Sequence, residues 1–144
     1  MNGIRVNTGV KRIEVNDDGD YITLNLSDND FIDRFFSLYK NIQKMAEESS
    51  AKEKDIRAQY SGGEDQNGLL QELFGLYKEA SASMMLEVDK LFGESACKKV
   101  FGDITPSFEL YLDFFEQLTP YLQQFAAEKA QRLSKYSAAR TGNV

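Results

Sequence analysis

The spacing of apolar residues changes once along this 144-residue chain, close to residue 27. Before that point, apolar and polar residues alternate in the runs 11–15 and 21–26, which is the pattern of half-buried β-strands. After it, apolar residues recur every three or four positions, which is the pattern of amphipathic helices. The sequence therefore predicts an α+β fold that is predominantly α, with a β-hairpin followed by three main helices and one short helix.

The two strand-like runs are separated by an acidic turn around Asp18-Gly19. An Asp-Gly pair supplies the positive φ that a tight hairpin turn requires. We predict a β-hairpin region over 1–26, in which Ile4 and Val6 form a further short strand. Because an isolated hairpin is only marginally stable in water, its apolar face must be covered by a helix or by a neighbouring chain.

The first predicted helix covers 28–60 and begins after Ser27, whose hydroxyl is a suitable N-cap. Its apolar stripe fades after Met45 into a polar arm, which is compatible either with a solvated helix or with a loose connection. The segment 61–68 is rich in turn-forming residues and has no apolar residue, so we predict a flexible linker there.

The rest of the chain is predicted as a helical region over 69–135 and a frayed tail over 136–144, the whole of 1–144 forming one domain. A second long helix ends at Gly93, and a short helix covers 94–101 and closes at Gly102. Thr105 and Pro106 are predicted to be the N-cap and the first residue of the last helix, and Pro120 is predicted to kink that helix.

Composition excludes most catalytic chemistry. The chain has no His and one Cys, so it has neither an imidazole base nor a thiolate cage for zinc. Lys98 and Lys99 beside Cys97 would lower the pKa of its thiol, but no base partner accompanies it. The acidic turn at 16–20 lacks the twelfth-position carboxylate of a calcium loop. We predict that the protein is not an enzyme, with no catalytic residue, no cofactor and no metal ligand.

The formal net charge is −6, whereas a protein that binds nucleic acid presents a basic surface. No apolar run is long enough to cross a membrane, and the first residues lack the pattern of a secretory signal. These features predict a cytoplasmic protein that binds neither nucleic acid nor membranes.

Aromatic residues are concentrated in the helices, with ten Phe and seven Tyr in the chain. The last helix carries apolar residues on two faces, and such a helix requires two neighbours in a small protein. One neighbour can be the second helix, and the other can be a partner chain. We predict that Phe114, Tyr121 and Phe125 contribute to partner binding or self-association, and that the chain forms a homo-oligomer.

Two segments carry a resemblance to a known family: 88–103, with its two Phe-Gly pairs about nine residues apart, and 111–121, with Phe-Phe-Glu and Thr-Pro-Tyr. They resemble small tail-cluster proteins of long-tailed phages and prophages of Gram-positive bacteria, which are taken to be tail assembly chaperones. The strand pair leading into Phe31 and Tyr39 is also similar, and 46–68 has no counterpart.

The resemblance implies a non-enzymatic protein, made in the cytoplasm of a bacterial host, that binds the tape measure protein or another tail protein and assists tail assembly. A structural minor tail or connector subunit that stays in the virion is the alternative. An inhibitor acting by acidic mimicry would need a clustered acidic face, whereas the acids here are spread along the chain.

Overall fold

A computed structural model of the chain describes residues 2–141, with side chains from 2 to 138. The element order is β1 (Val10–Glu14), β2 (Tyr21–Asn25), α1 (Asn29–Gln59), α2 (Gln66–Phe92), α3 (Ala96–Phe101) and α4 (Phe108–Thr141). The structure is 69% helical, which confirms the predicted α+β, predominantly α fold. It divides into two compact units, one ending at Leu112 and the other beginning at Asp113.

The hairpin pairs β1 with β2 in antiparallel register, with Ile13 opposite Ile22. Ile22 and Leu24 are buried on one face, and β2 lies against α2, so a helix covers the apolar face as the pattern predicted. Ile4 and Val6 form no strand and remain exposed, which corrects the prediction of a further strand.

The hairpin turn depends on Asn16 as well as on the predicted Gly19, whose φ is +86°. The Asn16 Oδ1 accepts hydrogen bonds from the backbone N–H groups of Asp18 and Asp20, at 2.9 and 3.2 Å. Its Nδ2 donates to the carbonyl of Lys99 in α3 at 3.0 Å. One amide side chain therefore closes the turn and attaches it to a helix that is distant in sequence.

Helices α1 and α2 form the main helical pair. Phe92 at the end of α2 packs edge-on against Phe31 and Phe35 at the start of α1, with ring centroids 6.0 and 6.4 Å apart. The N-cap of α1 is Asp28, which accepts from the Asp30 N–H at 2.9 Å, so the prediction that Ser27 caps this helix is wrong. The Asp28 carboxylate lies one residue closer to the first helical turn than the Ser27 hydroxyl.

The polar arm of α1 is helical to Gln59, and the connection to α2 is shorter than predicted. Helix α2 begins at Gln66, inside the predicted linker 61–68, because Asp65 caps it by accepting from the Gly68 N–H at 2.9 Å. The carboxylate satisfies an amide that the helix leaves without an internal partner.

Gly93 and Gly102 end α2 and α3 with φ values of +114° and +82°, as predicted. Helix α3 begins at Ala96, two residues after the predicted start, and its second residue is held by a side chain from α2. Asp89 Oδ1 accepts from the Cys97 N–H at 2.9 Å, which fixes the corner between the two helices.

Helix α4 begins at Phe108, so the prediction that Pro106 is its first residue is wrong. Pro106 is instead buried in the connection before the helix. Near the start of α4, Tyr111 is fully buried against α2. Its hydroxyl lies 3.0 Å from Ser81 Oγ and donates to the Ser81 carbonyl at 3.1 Å.

The second unit consists of the remainder of α4, in which Phe115 and Leu118 are buried. Pro120 lies inside the helix, and the predicted kink there stays a prediction. The helix continues to Thr141, and fraying of the tail over 136–144 stays a prediction. The last part of that predicted tail, 142–144, lies outside the described residues.

Candidate protein-binding groove

Among the described residues, no cluster of three or more Cys, Asp or Glu side chains is arranged to hold a metal ion. The single thiol, Cys97, is 1% exposed, and burial together with the Asp89 charge raises its pKa to about 12. This direction is opposite to the effect expected of Lys98 and Lys99 from the sequence. At neutral pH the side chain is a buried thiol, which is a weak nucleophile.

A largely apolar groove of about 660 Å³ lies in the first unit, between α1, α2 and the beginning of α4. We call it the α1–α2–α4 groove. Its apolar wall is built from aromatic and aliphatic side chains that approach from two directions: Phe74 and Tyr77 on α2, and Pro106, Phe108 and Leu112 around the start of α4. Phe74 is 64% exposed, although it is one of the largest apolar side chains in the unit. An exposed aromatic residue in a concave surface is typical of a protein or ligand contact.

A buried hydroxyl also lines this groove. Ser49 on α1 is only 6% exposed, and its Oγ has no hydrogen-bond partner in the structure. Most buried hydroxyl groups are paired, because desolvation without a hydrogen bond costs about 1–3 kcal/mol. Ser49 also borders a smaller depression of about 200 Å³ that is lined by several charged side chains. The larger, apolar groove is the one with room for side chains of another molecule.

The rim of the groove carries a carboxylate that has internal partners and a cation that has no ion pair among the described residues. Glu53 Oε1 lies 3.0 Å from the Arg57 guanidinium, and hydrogen bonding from Tyr77, followed by Arg57, lowers the pKa of Glu53. Burial, followed by Glu53, raises the pKa of Tyr77. Lys78 forms no ion pair with any described carboxylate.

A second depression, of about 600 Å³, continues the groove along α2 towards its N-terminus. The two depressions share Phe74 and Lys78, and the second adds Leu70, which is 48% exposed. Leu70 and Phe74 are four residues apart and therefore lie on the same face of the helix. Together the depressions form one surface along α2, centred on Phe74.

The residues predicted from the sequence to bind a partner all lie in the second unit and outside this groove. Phe114 and Phe125 are buried, each with 8% exposed, and Tyr121 is 39% exposed. Arg132 covers the Phe125 ring, with its guanidinium carbon 5.6 Å from the ring centroid. Their role in association stays a prediction.

Sequence reasoning did not single out Ser49, Phe74 or Lys78. Ser49 stands in a stretch that is polar on every side, and the burial of one hydroxyl there depends on the tertiary neighbour. Phe74 had a signal in the sequence, because it broadens the apolar stripe of α2 beyond what one partner helix covers.

Among the described residues, no helix combines the length and the apolar character that crossing a membrane requires. Residues 18–143 match a family of unknown function (DUF6673). No curated protein and no solved structure matches the chain.

Proposed function

Because the chain belongs to the DUF6673 family, whose function is unknown, we propose its function from its surfaces: a non-enzymatic, protein-binding protein that acts as a phage or prophage tail assembly chaperone. Its partner is the tape measure protein or another tail protein, and it works in the cytoplasm of the bacterial host. The observation that carries the proposal is the exposed apolar surface formed by Leu70, Phe74 and the α1–α2–α4 groove.

The physical reason is that a long helical tape measure protein exposes apolar stripes before it is assembled, and such stripes aggregate in water. A groove with an apolar wall can cover a stripe through side-chain burial, as in other helix-in-groove interactions. The net charge of −6 keeps the complex soluble, because like-charged complexes repel one another. The resemblance of 88–103 and 111–121 to tail-cluster proteins supports the same partner.

The test is co-expression with the tape measure protein of the same phage or prophage. We expect the unaltered chain to keep that protein in the soluble fraction and to co-purify with it. Phe74→Asp places a charge on the proposed contact surface and should abolish both effects. Phe36→Asp is the matched control, since Phe36 is also exposed, at 48%, but lies outside the groove.

Two results would reject this function. If the tape measure protein is equally insoluble with and without the chain, the chaperone activity is absent. If mass spectrometry finds the chain in purified particles at a fixed stoichiometry, the alternative of a structural minor tail or connector subunit is correct.

A further inference from the structure

We propose that the groove selects one kind of occupant: an amphipathic partner helix of about three turns that carries a carboxylate for Lys78 and a hydrogen-bonding polar side chain for Ser49. This inference rests on the proposed function and specifies the chemistry of the segment that is bound.

The length follows from the two depressions along α2. Their lining residues on this helix extend from Asn67 to Lys78. At 1.5 Å per residue, that distance is about 16 Å, which equals three helical turns. An apolar stripe with anchors at i, i+3 or i+4, and i+7 would contact Leu70, Phe74 and Tyr77 along this helix.

The charge preference follows from the rim. The Glu53 carboxylate already accepts hydrogen bonds from Tyr77 and Arg57, and the Glu109 carboxylate accepts a hydrogen bond from the Ser107 hydroxyl at 2.9 Å. Lys78 is therefore the charged group on the rim that has no internal partner. A carboxylate on the incoming helix complements it, and a cation there would be repelled.

The polar requirement follows from Ser49. Its hydroxyl is already buried without a hydrogen bond in the free chain, at a cost of about 1–3 kcal/mol, and a purely apolar occupant would not relieve that cost. An Asn, Gln, Ser or Thr side chain on the partner helix would satisfy it. Because an apolar stripe alone leaves this cost in place, Ser49 discriminates among amphipathic helices of equal hydrophobicity.

A second copy of this chain is a less suitable occupant. Its most exposed apolar segment contains Ile4 and Val6, which are 92% and 78% exposed. Arg5 lies between them, so docking this segment would bring a second cation close to Lys78. Charge complementarity therefore favours a partner helix that carries an acid.

The experiment measures binding of the full chain to a fluorescent, helix-stabilised peptide of 18 residues with a leucine stripe, one Glu and one Asn. Two matched peptides replace the Glu by Lys or the Asn by Leu. We expect the Glu peptide to bind roughly two- to fivefold more tightly than the Lys peptide at low salt, as for other exposed ion pairs. The Lys78→Glu variant should reverse that preference, and Lys40→Glu, which changes the net charge equally outside the groove, should preserve it.

Ser49→Ala should remove the preference for the Asn peptide over the Leu peptide while leaving the charge preference intact. The inference is overturned if Lys78→Glu behaves like Lys40→Glu, or if Phe74→Asp binds the peptides as the unaltered chain does. It is also overturned if unlabelled chain displaces the peptides, because a second copy would then occupy the groove. Failure of the tape measure protein to bind, with the peptide preferences intact, would reject the proposed function alone.

Discussion

At the residue scale, the hydroxyl of Tyr111 connects the start of α4 to α2. It contacts both the side chain and the backbone carbonyl of Ser81, and burial raises its pKa to about 12. We predict that Tyr111→Phe lowers the free energy of unfolding by about 1–2 kcal/mol, because the buried Ser81 Oγ loses a hydrogen-bond partner. Urea unfolding measures the loss as a lower midpoint with an unchanged slope.

The Tyr111 prediction has a matched control and an internal test. Tyr121→Phe removes a hydroxyl from a side chain that is 39% exposed, and should change stability by less than about 0.5 kcal/mol. Ser81→Ala combined with Tyr111→Phe should cost less than the sum of the single changes, since both remove the same contact. Strict additivity would mean that the two hydroxyl groups do not interact.

Cys97 provides a second prediction at this scale. Its thiol is buried and has a pKa of about 12, so we expect a thiol reagent at pH 8 to modify it only when the chain unfolds. The labelling rate should therefore rise in parallel with the unfolded fraction in urea. Fast modification of the folded chain would contradict the raised pKa and the burial.

The same thiol makes stability sensitive to alkaline pH. The pKa of this thiol in the folded chain lies above the ordinary value of 9.0. Its contribution to the free energy of unfolding is therefore complete below pH 9 and is lost as the pH rises towards 12. Cys97→Ala should flatten the decline of stability in that range. An unchanged decline would assign it to other groups, Tyr111 first among them.

At the scale of elements, the capping of α2 by Asp65 sets the identity of Gly68. A Cβ at this glycine would lie 2.8 Å from the Asp65 Cγ and even closer to its Oδ2. In most helices Gly→Ala stabilises by about 1 kcal/mol. Here we predict that Gly68→Ala gives no gain, because the displaced carboxylate loses its hydrogen bond to the helix N–H.

A double-mutant cycle tests this capping account. Asp65→Ala alone should cost about 1 kcal/mol, and in that background Gly68→Ala should recover about 1 kcal/mol, since no carboxylate remains to clash. Thermal unfolding of the four variants measures the coupling. If Gly68→Ala stabilises the chain equally in both backgrounds, the cap and the glycine are independent.

The elements also show how far sequence patterns determine this fold. Periodicity located the hairpin and the helices, and the glycine caps at Gly93 and Gly102 ended two of them, because both signals are local. The competition between Ser27 and Asp28 for one N-cap was not decided by residue type, since either side chain can cap a helix. The role of Asp65 as the N-cap of α2 was not predicted, because it lies in a turn-rich segment and the residues that favour turns also begin helices.

The candidate groove was harder to predict from the sequence, because it is formed by residues that are distant along the chain. Ser49 and Phe74 follow no common local pattern, and only the packing of α1 on α2 places them along one groove. Asp89 is a similar case, since its hydrogen bond to the Cys97 N–H crosses a corner between helices. Contacts of this kind are tertiary, and hydrophobic periodicity does not predict them.

At the scale of the whole molecule, the remaining question is self-association. We predict a homo-oligomer that forms through the N-terminal region, because Ile4 and Val6 are exposed in the segment that precedes a two-stranded sheet whose edges are unpaired among the described residues. An open strand edge next to apolar residues favours pairing with a second chain. Light scattering after size exclusion should give a mass above the 16.3 kDa of one chain, rising with concentration.

Variants locate the contact and distinguish it from the groove. Ile4→Lys combined with Val6→Lys places charges in the proposed contact region and should give a monomer, whereas Leu86→Lys, at an apolar position of α2 that is 65% exposed, should leave the mass unchanged. The peptide-binding groove should be unaffected in the monomeric variant, because its lining begins at residue 46. A monomer at every concentration would contradict self-association, and loss of peptide binding together with the oligomer would mean that both depend on one interface.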